Sequence, residues 1–144
     1  MKILRRAGIV LAVLVVIRLV AGCFNPALNI KDVTTGATPE YPELQPQRFT
    51  ADVPAVFNAA AAVAHAEGWE VTREDRDAAV IEAVAITPLM RFKDDVTVTI
   101  TRDGEQTKVV VRSHSRIGNG DLGANAKRIE KFQAEMAKRI PPVG

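Results

Sequence analysis

One cysteine, Cys23, and two histidines, His65 and His114, are all that this 144-residue chain holds of the residues that build disulfides and soft metal centres. A lone thiol closes no internal disulfide, and the two histidines lack the spacing of a metal-ligand pair. The sequence therefore implies no metal and no cofactor. Charge of one sign is also scarce, because 19 basic side chains stand against 17 acidic ones for a net +2. Four of the basic residues, Lys2, Arg5, Arg6 and Arg18, belong to the first 22 residues, which carry no acid, so the remainder has 15 basic and 17 acidic groups. A near-neutral body of that kind has no basic surface for nucleic acid. Repeats and low-complexity tracts are absent, and the length suits a single domain.

The one long apolar run spans residues 7–17 and follows Lys2, Arg5 and Arg6. This is the pattern of an export signal. Its basic end stays cytoplasmic by the positive-inside tendency, which places everything after Cys23 on the extracytoplasmic side. Residues 1–23 thus form a signal or membrane anchor, and two chemistries fit it. Val20-Ala21-Gly22-Cys23 resembles a bacterial lipobox, with Cys23 as the lipid attachment site. Alternatively, residues 7–24 form an uncleaved span at the short limit of length, with Arg18 snorkelling toward the headgroups. Both readings make the membrane a partner.

Residues 24–49 show no helical or strand periodicity, and Pro26, Pro39, Pro42 and Pro46 recur through them. They read as a spacer of extended segments, although Tyr41 and Leu44 are apolar enough to touch the domain. Residues 50–142 form that domain. A first helix is expected over residues 53–67, capped by Thr50 or Asp52, with Pro54 in its first turn and Gly68 at its end. Val53, Phe57, Ala60, Ala61 and Ala64 share its apolar face, and His65 near the end has no evident chemical duty. Strands are expected over residues 69–73, 80–87, 91–101 and 106–113.

Asp103-Gly104 is a two-residue hairpin signal. Centred there, the register pairs Ile100 with Thr107, Val98 with Val109 and Val96 with Val111 on a core face, Asp94 with Ser113, and Asp95 with Arg112 on the other face. A last helix, from Leu122 or Ala124 to Ile140, carries Leu122, Ala126, Ile129, Phe132, Met136 and Ile140 as an apolar stripe, with Asp121 at its start. The expected fold is α+β: an antiparallel sheet of about four strands with two helices on one face, preceded by the membrane segment.

The segment between the hairpin and the last helix gathers Arg112, Ser113, Ser115, Arg116, Asp121 and Asn125 among Gly118, Gly120 and Gly123. With Asp94 and Asp95 these residues make a polar cluster. It either binds an anion, through guanidinium groups and free helix N–H groups, or satisfies itself, because the acids match the arginines in sign. No catalytic residue is assigned. Asp94 and Asp95 point to opposite faces of a strand, and so do Ser113 or Ser115 and His114.

Gly68-Trp69, Ile81-Glu82-Ala83, Arg91-Phe92-Lys93-Asp94-Asp95-Val96, Arg112-Ser113-His114-Ser115-Arg116-Ile117-Gly118 and Asp121-Leu122-Gly123-Ala124-Asn125-Ala126-Lys127-Arg128-Ile129 together resemble a bacterial family, domain of unknown function 1499. The resemblance runs from about Pro39 to Ile140. It implies no activity and no functional residues, but members similar to this chain often begin with a signal or membrane segment. The expected function is that of a membrane-anchored cell-envelope protein, a non-catalytic module that binds another envelope protein or component. The alternative is a small-ligand or anion binder using the Arg/Asp/Ser cluster, and an undetected enzyme ranks behind both.

Overall fold

The computed structural model describes residues 30–118 and 120–144. The anchor reading and Cys23 lie outside the described residues. Among those described, no helix is long and apolar enough to cross a membrane.

Among the described residues, six strands and two helices follow in the order β1 (Asp32–Thr34), β2 (Gln47–Phe49), α1 (Val53–Ala66), β3 (Glu70–Asp75), β4 (Val80–Ile86), β5 (Lys93–Asp103), β6 (Gln106–Ser115) and α2 (Ala124–Arg139). All pairings are antiparallel. The sheet runs β1-β6-β5-β4-β3, and β2 also pairs with β6. The α+β class and the two helices agree with the sequence expectation, while the sheet has six strands rather than about four.

The additional strands come from the stretch expected to be a spacer. β2 pairs with Thr107–Val109 of β6 and β1 with Arg112–His114, so two three-residue strands share one long edge. Val33 and Phe49 are fully buried and Leu44 nearly so. Between them Thr35 exchanges hydrogen bonds with Val111, its N–H donating to the Val111 carbonyl (3.0 Å) while its Oγ1 accepts from the Val111 N–H (3.1 Å). Gly36 takes a positive φ of 73°, and a side chain there would meet Pro46 Cδ at 2.9 Å. Residues 30–49 are therefore part of the domain. Their strands are too short for a period to show.

Helix α1 begins as its sequence dictates, with the Asp52 carboxylate accepting from the Ala55 N–H at 2.9 Å and Pro54 in the first turn. It buries Val56 and Val63 as well as the expected Phe57, Ala60, Ala61 and Ala64, because it touches both the sheet and α2. Trp69 stacks on Phe132 of α2 with ring centroids 5.4 Å apart. The stripe on α2 buries Ala126, Ile129, Phe132 and Met136. Leu122, expected on that stripe, is instead exposed and precedes the helix.

The β5–β6 turn is Gly104-Glu105, since Asp103 pairs with Gln106. Gly104, with φ 63°, holds the first central position, where a type II′ hairpin turn places glycine. Register is thus two residues away from the expectation: Ile100 faces Val109, Val98 faces Val111, Asp94 faces Ser115 and Asp95 faces His114. A two-residue shift keeps every side chain on its face. Val96, Val98, Ile100, Val109 and Val111 still line the core.

Candidate functional site

The expected polar cluster divides into two groups on opposite faces of the sheet, as strand alternation requires. On the helix-covered face lies a buried network. Asp94, Ser113 and Asn125 are all at most 2% exposed. Arg128 of α2, not singled out as a site residue from the sequence, connects them: one terminal nitrogen donates to Asp94 Oδ2 at 2.7 Å, and the other to Ser113 Oγ and Asn125 Oδ1, each at 2.8 Å. Ser113 Oγ donates to Asn125 Oδ1 at 2.6 Å. The Asn125 amide then donates to Ser115 Oγ at 2.8 Å and to the Lys31 carbonyl at 3.0 Å. Every polar atom of that amide has a partner, and the network ties α2 to β5, to β6 and to the residue that leads into β1.

On the open face are exposed ion pairs. Arg116 Nε reaches both oxygens of Asp95 at 3.0 Å and its Nη2 reaches Oδ1 at 2.5 Å. Arg112 pairs with Asp32 through Nε at 2.8 Å and Nη2 at 2.5 Å. The hydrogen bonds from these guanidinium groups hold the Asp32 and Asp95 carboxyls below the ordinary carboxylate range and raise the arginines. His114 Nδ1 lies 3.6 Å from Asp32, too far for a hydrogen bond. Asp32 was not foreseen because its strand was not.

Asp121 does serve the start of the last helix. Its carboxylate accepts from the Gly123 N–H at 2.9 Å and the Asn125 N–H at 2.6 Å, while Gly123 itself, with φ 78°, occupies the cap position. The arginines are thus matched with carboxylates and Asp121 with backbone. The guanidinium groups of Arg112, Arg116 and Arg128 and the N–H groups of Gly123, Ala124 and Asn125, expected ingredients of an anion site, are already engaged.

Where the buried network reaches the end of the sheet, the surface opens into a pocket of about 270 Å³. One wall is the β4–β5 loop, with Thr87, Pro88, Leu89, Met90 and Phe92; the other is the β6–α2 connection, with Ile117, Gly120, Asp121, Leu122 and Ala124; Asp94 and Ser115 complete the lining. The first loop is closed by its own hydrogen bonds: Thr87 N–H to the Phe92 carbonyl (2.9 Å), Arg91 N–H to the Thr87 carbonyl (3.1 Å) and Phe92 N–H to Thr87 Oγ1 (2.9 Å). Of the seven large hydrophobic residues exposed among the described residues, five line this one opening: Leu89, Met90, Phe92, Ile117 and Leu122. Three of the expected site residues, Asp94, Ser115 and Asp121, lie in it; Asp95, Arg112 and Arg116 do not. Among the described residues, two of the three non-glycine residues with positive φ, Arg91 (56°) and Leu122 (54°), stand on its two loops, a conformation bulky residues avoid.

Neither histidine of the chain lines the pocket. His114 is on the other sheet face, and His65 pairs with Glu74 at 2.7 Å. No group of three or more His, Cys, Asp or Glu residues capable of holding a metal ion occurs among the described residues.

The architecture belongs to a family of α+β domains to which no activity is attached. The family described as "Protein of unknown function (DUF1499)" matches residues 21–136, and the chain is a member of it. No curated protein matches the chain. Among solved structures, the chain is similar to TTHA0849 from Thermus thermophilus, at 13% identity and a TM-score of 0.39, over 75% of this chain and 95% of that one.

Proposed function

We propose that this protein is a non-catalytic binding module of the bacterial cell envelope, anchored in a membrane by its first 23 residues, with the folded domain outside the cytoplasm. It binds an envelope protein or other envelope component through the pocket between the β4–β5 loop and the β6–α2 connection. One observation carries this reading. Most of the large apolar side chains exposed among the described residues gather around that single opening, and a concentrated, polar-rimmed apolar patch is the signature of an interaction surface. The anchor rests on the basic residues and apolar run of the leader. An anion binder is less well supported, because Arg112, Arg116 and Arg128 are each held by a carboxylate within 2.7 Å.

Two measurements test the proposal. A reporter enzyme that works only outside the cytosol, fused after Gly144, is expected to be active. A photoreactive amino acid at position 122 of the full chain in intact cells is expected to capture an envelope component that the same group at position 105 does not. Reporter activity confined to the cytosol, or equal capture at both positions, sinks the reading.

A further inference from the structure

The first described residues of the chain lie at the pocket end of the sheet. The Lys31 carbonyl accepts from the Ser115 N–H at 2.8 Å and from the Asn125 side chain at 3.0 Å, and Ser115 lines the pocket. Lys31, the second described residue, therefore lies beside the pocket, not at the far end of the sheet. On the same end of the domain Leu89 is 89% exposed and Leu122 76% exposed.

The β4–β5 loop has the composition of a bilayer interface segment. Leu89, Met90 and Phe92 alternate with Arg91 and Lys93. Among the described residues neither basic side chain makes an ion pair, whereas Arg112, Arg116 and Arg128 nearby all do. Apolar side chains that reach ~5–10 Å into the headgroup and acyl boundary, beside cations that meet lipid phosphates, are the elements of interfacial binding. The β5–β6 turn is ten strand rises from Lys93, roughly 33 Å away, so a domain seated on this end keeps the turn clear of the bilayer.

Resting on the anchored-module reading above, we infer that the occupant of this surface is the lipid bilayer itself: the tip formed by Leu89, Met90, Phe92 and Leu122 inserts at the membrane interface, and the pocket receives a lipid acyl chain. A volume of about 270 Å³ is below the ~300–1,000 Å³ usual for drug-sized ligands, which suits a segment of one chain. The anchor holds the tip at high effective concentration against the bilayer, so modest intrinsic affinity suffices.

The test uses the full chain reconstituted into vesicles of phosphatidylethanolamine and phosphatidylglycerol that carry bromine on their acyl chains. An environment-sensitive fluorescent amino acid is placed at position 89 or, in a second preparation, at position 105, leaving Cys23 untouched. The inference expects blue-shifted emission at 89, quenched several-fold more strongly than at 105, and loss of that difference in L122D/F92D. Equal quenching at the two positions overturns it. A protein captured at position 122 in cells together with equal quenching leaves the binding module standing and removes only the lipid assignment; a reporter confined to the cytosol removes the module.

Discussion

Arg128 and Asp94, 34 residues apart in sequence, meet at 2.7 Å in a site where the arginine side chain is 11% exposed and the aspartate 2%. A carboxylate so deeply buried on the face that packs the core requires a cation, and α2 supplies it one turn beyond Asn125. Removing one partner strands the other charge. Arg128→Met is expected to lower stability by about 3–5 kcal/mol, read from urea unfolding. The double variant Arg128→Met with Asp94→Leu should recover most of that loss, since well-packed apolar replacements of a buried pair are often neutral. A double variant as unstable as the single one would show that the network, rather than the uncompensated charge, sets the energetics.

The pairs on the open face behave differently. Their side chains are nearly half exposed, and Arg116→Ala is expected to leave the urea midpoint close to that of the parent, because solvent screens exposed pairs. Their pH dependence has a definite sign. Asp32 and Asp95 have folded-state values below the unfolded one, chiefly through the hydrogen bonds from Arg112 and Arg116. Their contribution is therefore fully present above the unfolded carboxyl value of about 3.9 and is lost as pH falls through the lowered folded values. Melting temperature followed from neutral pH into acid should fall less steeply at the acid end for Asp32→Asn with Asp95→Asn than for the parent. Identical acid limbs would exclude these pairs from the acid response.

Much of this was legible because local rules and the fold agree. Asp52, Pro54 and Gly68 bracket α1 by cap chemistry, and alternation at Val96, Val98, Ile100, Val109 and Val111 marks the core face whichever of two turns is chosen, since registers two residues apart keep parity. Turn position itself was not legible: Asp103-Gly104 and Gly104-Glu105 both put glycine where positive φ is needed. β1 and β2 were hidden because each offers one buried side chain, Val33 or Phe49, and their pairing with β6 is set by contacts across the chain. Arg128 was reachable by one step: it lies three residues after Asn125 and so on the same helix side, facing an acid that the strand pattern turns inward. The apolar pocket was not, because it exists only where the β4–β5 and β6–α2 connections come together.

Helix capping gives a prediction independent of the site. Asp52 is the one side chain bonded to the free N–H groups at the start of α1 among the described residues, so Asp52→Ala should destabilise the domain by about 0.5–2 kcal/mol and Asp52→Ser by much less. Urea midpoints for the two variants check it. Equal losses would assign the effect to something other than the cap.

Leu122 separates stability from binding most cleanly. Its φ of 54° puts a bulky residue in the left-handed region, at a cost of roughly 1–2 kcal/mol, and its exposed side chain returns little packing in exchange. Strain kept at a position that the core does not need points to a use on the surface. Leu122→Gly is accordingly expected to be as stable as the parent or to gain up to about 1 kcal/mol, while capture from a neighbouring photoreactive position such as 89 falls several-fold. A loss of stability of about 1 kcal/mol or more would mean that Leu122 is held in place to support the connection into α2, and the strain would then be structural in origin.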